Sequence, residues 1–373
     1  MRYLTAGESH GKALVSIIEG IPSGLTLDIA FINKELGRRM EGFGRGKRMR
    51  IEKDRIEVLS GVRKGKTLGS PITFLIKNRD FKIESLPSIS SPRPGHADLA
   101  GALKFGQPDI RNILERASAR ETASRVATGA LVKTLLREFG IDFLSRVIVI
   151  GPVKSEKAFP FAKMKLLAEK SPVRCVDKDA TNLMCRAIEE AGLDGDTLGG
   201  IFEVIARGVP AGLGSYAQWD RRLDSNLTRA IMSIPGIKGV EIGRGFNVAS
   251  ERGSAVHDEI FFDKRHKKFF RKQNNAGGIE GGISNGEDIV LRAAMKPIAT
   301  LLRPLNSINI KTKGKTKAQV ERADVCVVPS CGVIAESVSA IEIARAMGEK
   351  FGGDSLAEMK RNYSSYIKQL TTF

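Results

Sequence analysis

Gly20-Ile21-Pro22-Ser23-Gly24-Leu25 has a close counterpart in Gly208-Val209-Pro210-Ala211-Gly212-Leu213, and each hexapeptide follows an apolar run with the character of a strand. The two copies lie about half a chain length apart, a spacing that indicates an internal structural duplication. Glycine and proline in this arrangement also mark ordinary turns, so the repeat by itself leaves both interpretations open. Either way, it predicts a strand followed by a turn at two distant points of the chain.

The apolar periodicity around these turns predicts both strands and helices, and therefore a mixed α+β fold. We predict strands over 13–18, 72–76, 144–150, 201–207 and 324–329. We predict helices over 30–40, 117–139, 180–191, 223–233 and 334–349. Because no long linker rich in proline, serine or glycine divides these elements, we expect one continuous domain over residues 1–373.

The charge of the chain points to an anionic partner. Its 373 residues include 60 Lys and Arg against 42 Asp and Glu, a net charge of +18. Such an excess costs self-repulsion in a compact protein, and nucleic acid, a membrane surface or a small anion could offset it. Aromatic residues make up only 6% of the chain and are not interleaved with the basic clusters, unlike those of a base-stacking single-strand binder. A small anionic molecule is the favoured partner, rather than nucleic acid or a membrane.

Apolar runs and cysteines bear on location and on metal binding. The apolar runs are shorter than the roughly 20 residues of a membrane-spanning helix. Residues 1–11 include Glu8 and His10 instead of a basic and then apolar secretory signal, so we expect a cytoplasmic protein. The four cysteines lack the short paired spacings of a zinc site, and we expect them to be reduced and structural, with no metal.

Two of the four histidines lie in turns that contain glycine. His10 belongs to Gly7-Glu8-Ser9-His10-Gly11, and His96 to Arg93-Pro94-Gly95-His96-Ala97-Asp98. An imidazole can give a proton to a departing phosphate oxygen, although a turn histidine bonded to backbone would show the same pattern. His257 and His266 stand among charged residues, and we expect them to be solvated.

Three further segments are candidates for binding anions. The basic run 38–55 is rich in arginine and glycine and could fold over a phosphate or carboxylate, or could be a solvated or nucleic-acid-binding loop. Ser118 stands near a predicted helix start, where free N–H groups bind phosphate, although Glu121 and Arg125 also fit ordinary ion pairing. The glycine-rich run 274–286 matches neither the ATP-loop nor the dinucleotide fingerprint.

Together these segments resemble the chorismate synthase family from end to end. Departures are slight: Phe105 replaces an expected tyrosine, and Ser330-Cys331 occupies a usually small apolar position. The matching segments are Gly7-Glu8-Ser9-His10-Gly11, Gly44-Arg45-Gly46 with Arg48 and Met49, Ser60-Gly61-Val62-Arg63, 93–98, 115–122, Trp219-Asp220-Arg221-Arg222-Leu223-Asp224, Lys238-Gly239-Val240-Glu241, 276–282 and Lys296-Pro297.

The resemblance implies an activity, a cofactor and an assembly. The family are carbon–oxygen lyases that convert 5-enolpyruvylshikimate 3-phosphate to chorismate in the shikimate pathway of aromatic amino acid biosynthesis. The reaction is a 1,4-anti elimination of phosphate that requires reduced FMN without net oxidation. The implied fold is a β-α-β sandwich with internal pseudo-symmetry, assembled as a homotetramer. The resemblance leaves the reductant of the flavin open, since family members use either NADPH or an external flavin reductase.

The resemblance also implies roles for individual residues. His10 would protonate the leaving phosphate, His96 would stabilise or protonate the reduced flavin, and Asp324 would act near flavin N5. The residues implied to bind substrate anions are Arg39, Arg45 and Arg48, with Arg111 and Arg120 as helpers. The residues implied to contact the flavin are Arg116, Ala117, Ser118, Pro235, Gly236, Gly281, Lys296, Pro297, Ile298, Ala299, Thr300 and Arg322.

Two other functions compete with this interpretation. A basic nucleic-acid-binding protein would fit the charge, and it would show steeply salt-dependent affinity for DNA or RNA and no bound flavin. A flavin reductase that transfers hydride could use the same flavin site, but the chain lacks a recognisable dinucleotide fingerprint.

Overall fold

A computed structural model describes residues 1–46, 52–321 and 324–373, and it confirms the predicted mixed α+β class. The strands are β1 (Arg2–Ala6), β2 (Ala13–Glu19), β3 (Glu57–Ser60), β4 (Val62–Arg63), β5 (Lys66–Thr67), β6 (Ile72–Lys77), β7 (Asp142–Ile150), β8 (Val153–Lys154), β9 (Gly200–Arg207), β10 (Ile237–Ile242), β11 (Ile260–Asp263), β12 (Lys268–Arg271), β13 (Ile279–Glu280), β14 (Ile283–Ser284), β15 (Ile289–Met295), β16 (Asn306–Ile308) and β17 (Lys315–Lys317). The helices are α1 (Ile29–Met40), α2 (Asp98–Phe105), α3 (Arg111–Ala117), α4 (Thr122–Arg137), α5 (Phe161–Lys170), α6 (Lys178–Leu193), α7 (Leu223–Met232), α8 (Gly253–Val256), α9 (Val328–Phe351) and α10 (Leu356–Leu370). In these described ranges, no helix is both long enough and apolar enough to cross a bilayer.

Two antiparallel sheets enclose a layer of helices. The first sheet has the order β1-β2-β6-β3 and the second has the order β10-β15-β9-β7-β8. Helix α4 packs on the first sheet, α9 packs on the second, and the two helices pack on each other. Gly129 permits this close crossing, because a Cβ there would lie 2.4 Å from Cβ of Ser337. The arrangement is the β-α-β sandwich that the resemblance implies.

The two halves of the chain repeat one topology. In the first half, β1 pairs with β2, β2 with β6, and β6 with β3. In the second half, β7, β9, β15 and β10 are paired in the same way. Helix α1 or α7 lies between the second and third strands of each half, and the long helix α4 or α9 follows the fourth. The predicted internal duplication is therefore confirmed by the connectivity as well as by the repeated hexapeptide.

Each hexapeptide forms a turn whose backbone is hydrogen-bonded to one buried hydroxyl group from another segment. Oγ1 of Thr67 donates to the carbonyl of Pro22 at 2.7 Å and accepts from the backbone N–H of Leu25 at 3.0 Å. Oγ of Ser284 makes the same two bonds to the second hexapeptide, at 2.6 and 2.8 Å. The first glycine of each copy has a φ near +85°, at +88° and +83°, which favours glycine. The hydroxyl group and the glycine explain why both turns need similar sequences.

Removing the Thr67 hydroxyl is expected to destabilise the fold. Thr67→Val keeps the shape of the side chain but leaves a buried carbonyl and a buried N–H without their partner, which costs about 1–3 kcal/mol. Urea unfolding should show a lower midpoint for this variant, and for Ser284→Ala. Thr26→Val, at an exposed position in the same segment, is the control and should unfold like the parent. An unchanged midpoint for Thr67→Val would show that the hydroxyl is unimportant.

Two predicted elements differ from the structure. The predicted helix 117–139 is divided, because α3 ends at Ala117, Ser118 is extended with ψ of 140°, and α4 begins at Thr122. The predicted strand 324–329 is wrong, since Cys326 makes only an isolated bridge and α9 begins at Val328. A proline in the first turn of a helix loses no hydrogen bond, which explains why α9 begins across Pro329. The other predicted strands and helices are confirmed.

A buried ion cluster joins α1, α4 and α9. Lys133 of α4 donates to Glu35 of α1 at 2.7 Å and to Glu336 of α9 at 2.6 Å. The guanidinium of Arg38 in α1 also donates to Glu336, at 2.9 Å, and to Glu169. Buried charges are tolerated only when they are paired, and each member here has an opposite charge. The cluster fixes the last turn of α1. Arg39, which follows Arg38 in that turn, extends from it.

Candidate active site

A cavity of about 690 Å³ is lined by the first turns of α4 and α9 and by loops from both halves of the chain. Thr122 is the first residue of α4, and Ser330 and Cys331 lie in the first turn of α9. Free N–H groups and the positive end of the dipole favour anions at the start of a helix. The cavity therefore lies where the two halves of the duplicated fold present the ends of their longest helices.

Most of the residues predicted from the sequence line this one cavity. They come from segments that are far apart in the chain, and the fold brings them together. The predicted residues that line it are His10, Arg39, Arg45, His96, Ala117, Ser118, Arg120, Pro235, Gly236, Lys296, Pro297, Ile298, Ala299, Thr300 and Asp324.

The remaining predicted residues are not brought to the cavity wall or cannot be placed. Arg111 donates to Glu321 at 2.9 Å and lies behind the wall. Arg116 donates to the backbone carbonyls of residues 5 and 7, on another side of its helix. Gly281 lies in the turn between β13 and β14. Arg48 and Arg322 lie outside the described residues.

His10 is held by a buried carboxylate. Its Nδ1 lies 2.9 and 3.1 Å from the two carboxylate oxygens of Glu115, and its backbone N–H donates to the same group at 2.8 Å. Burial alone would raise the pKa of Glu115, but the hydrogen bonds from His10 and the charge of Arg111 lower it below its ordinary value. Glu115 is therefore a stable anion behind the histidine.

His96 has a similar partner in Asp98. Nδ1 of His96 lies 2.6 Å from Oδ1 of Asp98, whose other oxygen accepts from Nε of Arg93 at 2.8 Å. Arg93 also donates to Thr300, so the histidine loop is tied to the segment that follows β15. Although burial opposes it, hydrogen bonds from His96 and Arg93 hold the pKa of Asp98 far below its usual range. The resulting network fixes the imidazole at the cavity wall.

Three arginines give the cavity a strong positive charge. Burial lowers the pKa of Arg39 to about 10; Asp54 acts against this shift, and the positive charges of Arg120 and Arg45 add to it. Arg39 donates to Thr122 at 3.0 Å, and Arg120 donates to Asp54 at 2.7 Å. Among the described residues, neither Nη1 of Arg39 nor Nη2 of Arg120 has a hydrogen-bond acceptor. A bound anion would supply acceptors for these buried N–H groups.

Asp324 and Ser330 both hold Arg45. The guanidinium of Arg45 donates to Oγ of Ser330 at 2.6 Å and lies 3.4 Å from a carboxylate oxygen of Asp324. Asp324 also accepts from the backbone N–H of Gly46. These contacts orient Arg45 from the start of α9, just as Thr122 orients Arg39 from the start of α4.

The other wall of the cavity suits a flat, partly apolar cofactor with a phosphate. Ile234, Pro235 and Met295 line it with apolar atoms, and Gly236 keeps the backbone accessible. The ammonium of Lys296 donates to the carbonyl of Gly95. Burial lowers the pKa of Lys296, and the nearby charge of Lys238 acts in the same direction. The residues present therefore fit a flavin nucleotide, with an apolar surface for its ring and cations for its phosphate.

The partners of the catalytic candidates were not predicted from the sequence. Glu115 lies in the segment 115–122 that was singled out, but its contact with His10 spans 105 residues. Asp98 follows His96 by two positions, and this spacing is a signal that could have identified it. Thr122 is a third missed residue, and no sequence pattern relates it to Arg39.

Comparisons with known proteins identify the family. A family model described as chorismate synthase matches residues 1–347. Proteins named chorismate synthase from Caldanaerobacter subterraneus subsp. tengcongensis and Geotalea uraniireducens are 54% and 53% identical to the chain, with full coverage of both sequences in each pair. A crystal structure of chorismate synthase is 44% identical with a TM-score of 0.83, covering 100% of this chain and 98% of that one. The chain therefore belongs to the chorismate synthase family.

Proposed function

We propose that the protein converts 5-enolpyruvylshikimate 3-phosphate to chorismate and phosphate by a 1,4-anti elimination that requires reduced FMN. The observation that carries the proposal is that three largely buried guanidiniums and two carboxylate-held histidines line one cavity. Substrate and flavin together bring two phosphates and two carboxylates. Arg39, Arg45 and Arg120 would bind these groups, each charged hydrogen bond contributing about 1.5–3 kcal/mol where water is excluded.

The flavin would be held by the apolar wall and by residues 296–300, with Ala117 and Ser118 at its edge. When bound, reduced FMN lends electron density to the allylic system and recovers it, so substrate and product differ by no electrons. The protein itself would bind the substrate and the flavin side by side and exclude water from the space between them. The position of Lys296, bonded to the His96 loop, supports a role in closing that wall.

The acid–base groups would act at opposite ends of the reacting system. His10 would give its proton to the departing phosphate oxygen, so that phosphate leaves as the hydrogen phosphate dianion instead of a trianion. His96 would hold or supply a proton beside the flavin ring. Asp324 would accept a hydrogen bond or a proton near the ring hydrogen that leaves, while it keeps Arg45 in place.

Anaerobic turnover with chemically reduced FMN tests the proposal. Chorismate and phosphate should appear in equal amounts while the flavin is present only in catalytic quantity. No product from folded, flavin-binding protein would discard the lyase. Oxidation of one NADPH for each substrate would favour the reductase instead, and salt-dependent binding of DNA without turnover would favour the nucleic-acid-binding alternative. The same assay with NADPH or with an added flavin reductase identifies the source of electrons.

Ser330→Ala is expected to weaken substrate binding. Its hydroxyl accepts from Arg45 and is buried, so its loss removes one of the contacts that orient the guanidinium toward the substrate. One such bond is worth about 0.5–1.5 kcal/mol, so KM should rise roughly two- to tenfold with kcat unchanged. Ser339→Ala is the control, because Ser339 is buried in the same helix and its hydroxyl has no hydrogen-bond partner among the described residues. An unchanged KM for Ser330→Ala would show that Ser330 does not position Arg45.

We also infer a homotetramer and a single domain over residues 1–373. Large exposed side chains support association, since Trp219 and Phe246 have exposed fractions of 74% and 79%. The main apolar core includes residues of both halves, which supports one domain. Sedimentation equilibrium should give the mass of four chains, and a monomer at micromolar concentration would refute the assembly. A cytoplasmic location stays a prediction.

A further inference from the structure

Glu115 forms hydrogen bonds with two consecutive residues of the N-terminal loop, residues 9 and 10. Its side chain is 1% exposed and accepts from both the ring and the backbone N–H of His10. Its own backbone carbonyl accepts from the N–H of Ser9 at 2.9 Å. The segment 7–11 is a glycine-containing turn with no helix or strand of its own at His10; Asn78 and the N–H groups of residues 82 and 83 hold its backbone, and Glu115 holds the imidazole.

The contact also determines which ring nitrogen carries a proton. A carboxylate only accepts hydrogen bonds, so Nδ1 of His10 must be the donor in the bond to Glu115. Nε2 is then the nitrogen left to exchange a proton with a ligand. The carboxylate of Asp80 lies 3.6 Å from Nε2, beyond ordinary hydrogen-bond distance.

Arg111 supports Glu115 from behind. Nη1 of Arg111 lies 3.5 Å from Oε1 of Glu115, and Nη2 donates to Glu321 at 2.9 Å. Its Nε points to the carbonyl of Pro87. Arg111 is not among the residues that line the cavity, although its partner Glu321 is, and its charge stabilises the carboxylate of Glu115.

We propose that Glu115 is a positioning residue that keeps Nδ1 of His10 protonated, so that Nε2 is the nitrogen that takes up a proton and gives it to the departing group, and that Arg111 acts through Glu115. The proposal rests on the proposed function only for the identity of the departing group. The matched control is the other buried carboxylate of the same segment, Glu121, which pairs with Arg125 four residues away and does not line the cavity.

Glu115→Gln tests the proposal in the intact protein. The amide has a single accepting oxygen for the two N–H donors of His10, so the ring is no longer held in one tautomer. Nitrogen-15 NMR of the four histidines, with His10→Asn to assign the signal, should show Nδ1-protonated His10 in the parent and in Glu121→Gln, but a tautomer mixture in Glu115→Gln. This measurement needs no turnover, so it remains decisive even if the proposed reaction fails.

Kinetics supply the second readout. Glu115→Gln should lower kcat by at least about tenfold, a part of the roughly 10²–10⁴ that a positioned acid contributes, with little change in KM. Adding Glu115→Gln to His10→Ala should cause no further loss, because the residue acts through the imidazole. The proposal is overturned by a single Nδ1-protonated tautomer with full kcat in Glu115→Gln, or by an equal additional loss in the double variant.

Discussion

His10→Ala is expected to slow turnover by about 100-fold or more. The loss follows from removing a positioned proton donor, whose contribution is typically about 10²–10⁴-fold. Since the arginines remain, KM should change little. The measurement is anaerobic chorismate formation at saturating substrate with chemically reduced FMN.

His96→Ala should show a loss of similar size, because His96 lines the cavity in a network fixed by Asp98 and Arg93 and is proposed to hold a proton beside the flavin. His266→Ala serves as the control for both variants, since His266 is exposed in the hairpin of β11 and β12 and is paired only with Asp263 there. Full activity in either His10→Ala or His96→Ala would remove the acid–base role of that histidine.

Glu336→Ala should have the largest effect on stability. It removes the carboxylate that Arg38 and Lys133 share in the middle of the helix layer, and breaking a buried pair in this way costs about 3–5 kcal/mol. Urea unfolding at neutral pH measures the change. Glu349→Gln, at an exposed site of the same helix, should alter stability by no more than about 0.5 kcal/mol. A loss below about 1 kcal/mol in Glu336→Ala would mean that the cluster relaxes without it.

The same carboxylate makes stability depend on pH. Burial would raise the pKa of Glu336, but the charges of Arg38 and Lys133 prevail and hold it well below its ordinary value. The folded-state pKa is thus lower than the unfolded one, near 4.3, so the stabilisation is complete above that pH and is lost as the pH falls toward the folded-state pKa. Between pH 5 and pH 3 the parent should lose more stability than Glu336→Gln. Equal losses would contradict this assignment.

Local patterns in the sequence were sufficient to predict most of the helices and strands and many of the residues that line the cavity. Alternation in 72–76 and helical spacing in 180–191 are confirmed by β6 and α6, because each reflects which face of one element is buried. The repeated hexapeptides left the duplication open and the resemblance implied it; both copies keep the glycine that their shared turn needs. His10, His96 and Arg39 were singled out because acid–base and anion-binding chemistry restricts the residue types that can serve it, and all three line the cavity, while their roles stay predictions.

Contacts between distant segments could not be predicted in this way. Nothing near Arg111 in the sequence reveals that Glu321 binds its guanidinium behind the cavity wall, 210 residues later in the chain. The apolar run 324–329 was predicted as a strand because short runs have no decisive period, but its end forms the start of α9, which packs between α4 and the second sheet. Thr122 and Ser330 gain their importance from the arginines that bond to them, 83 and 285 residues away in the chain.

The ion cluster in the helix layer also bears on protein synthesis. Arg38 and Lys133 emerge from the ribosome long before Glu336, which follows Arg38 by 298 residues. Until then the first half can form its sheet, but its two cations have only Glu35 as a shared acceptor, because Glu336 is not yet made. Ribosome-bound chains stalled before residue 336 are therefore expected to remain sensitive to protease at α1, and chains stalled well after α9 to become resistant. The duplicated fold thus ties the maturation of its first half to translation of its second.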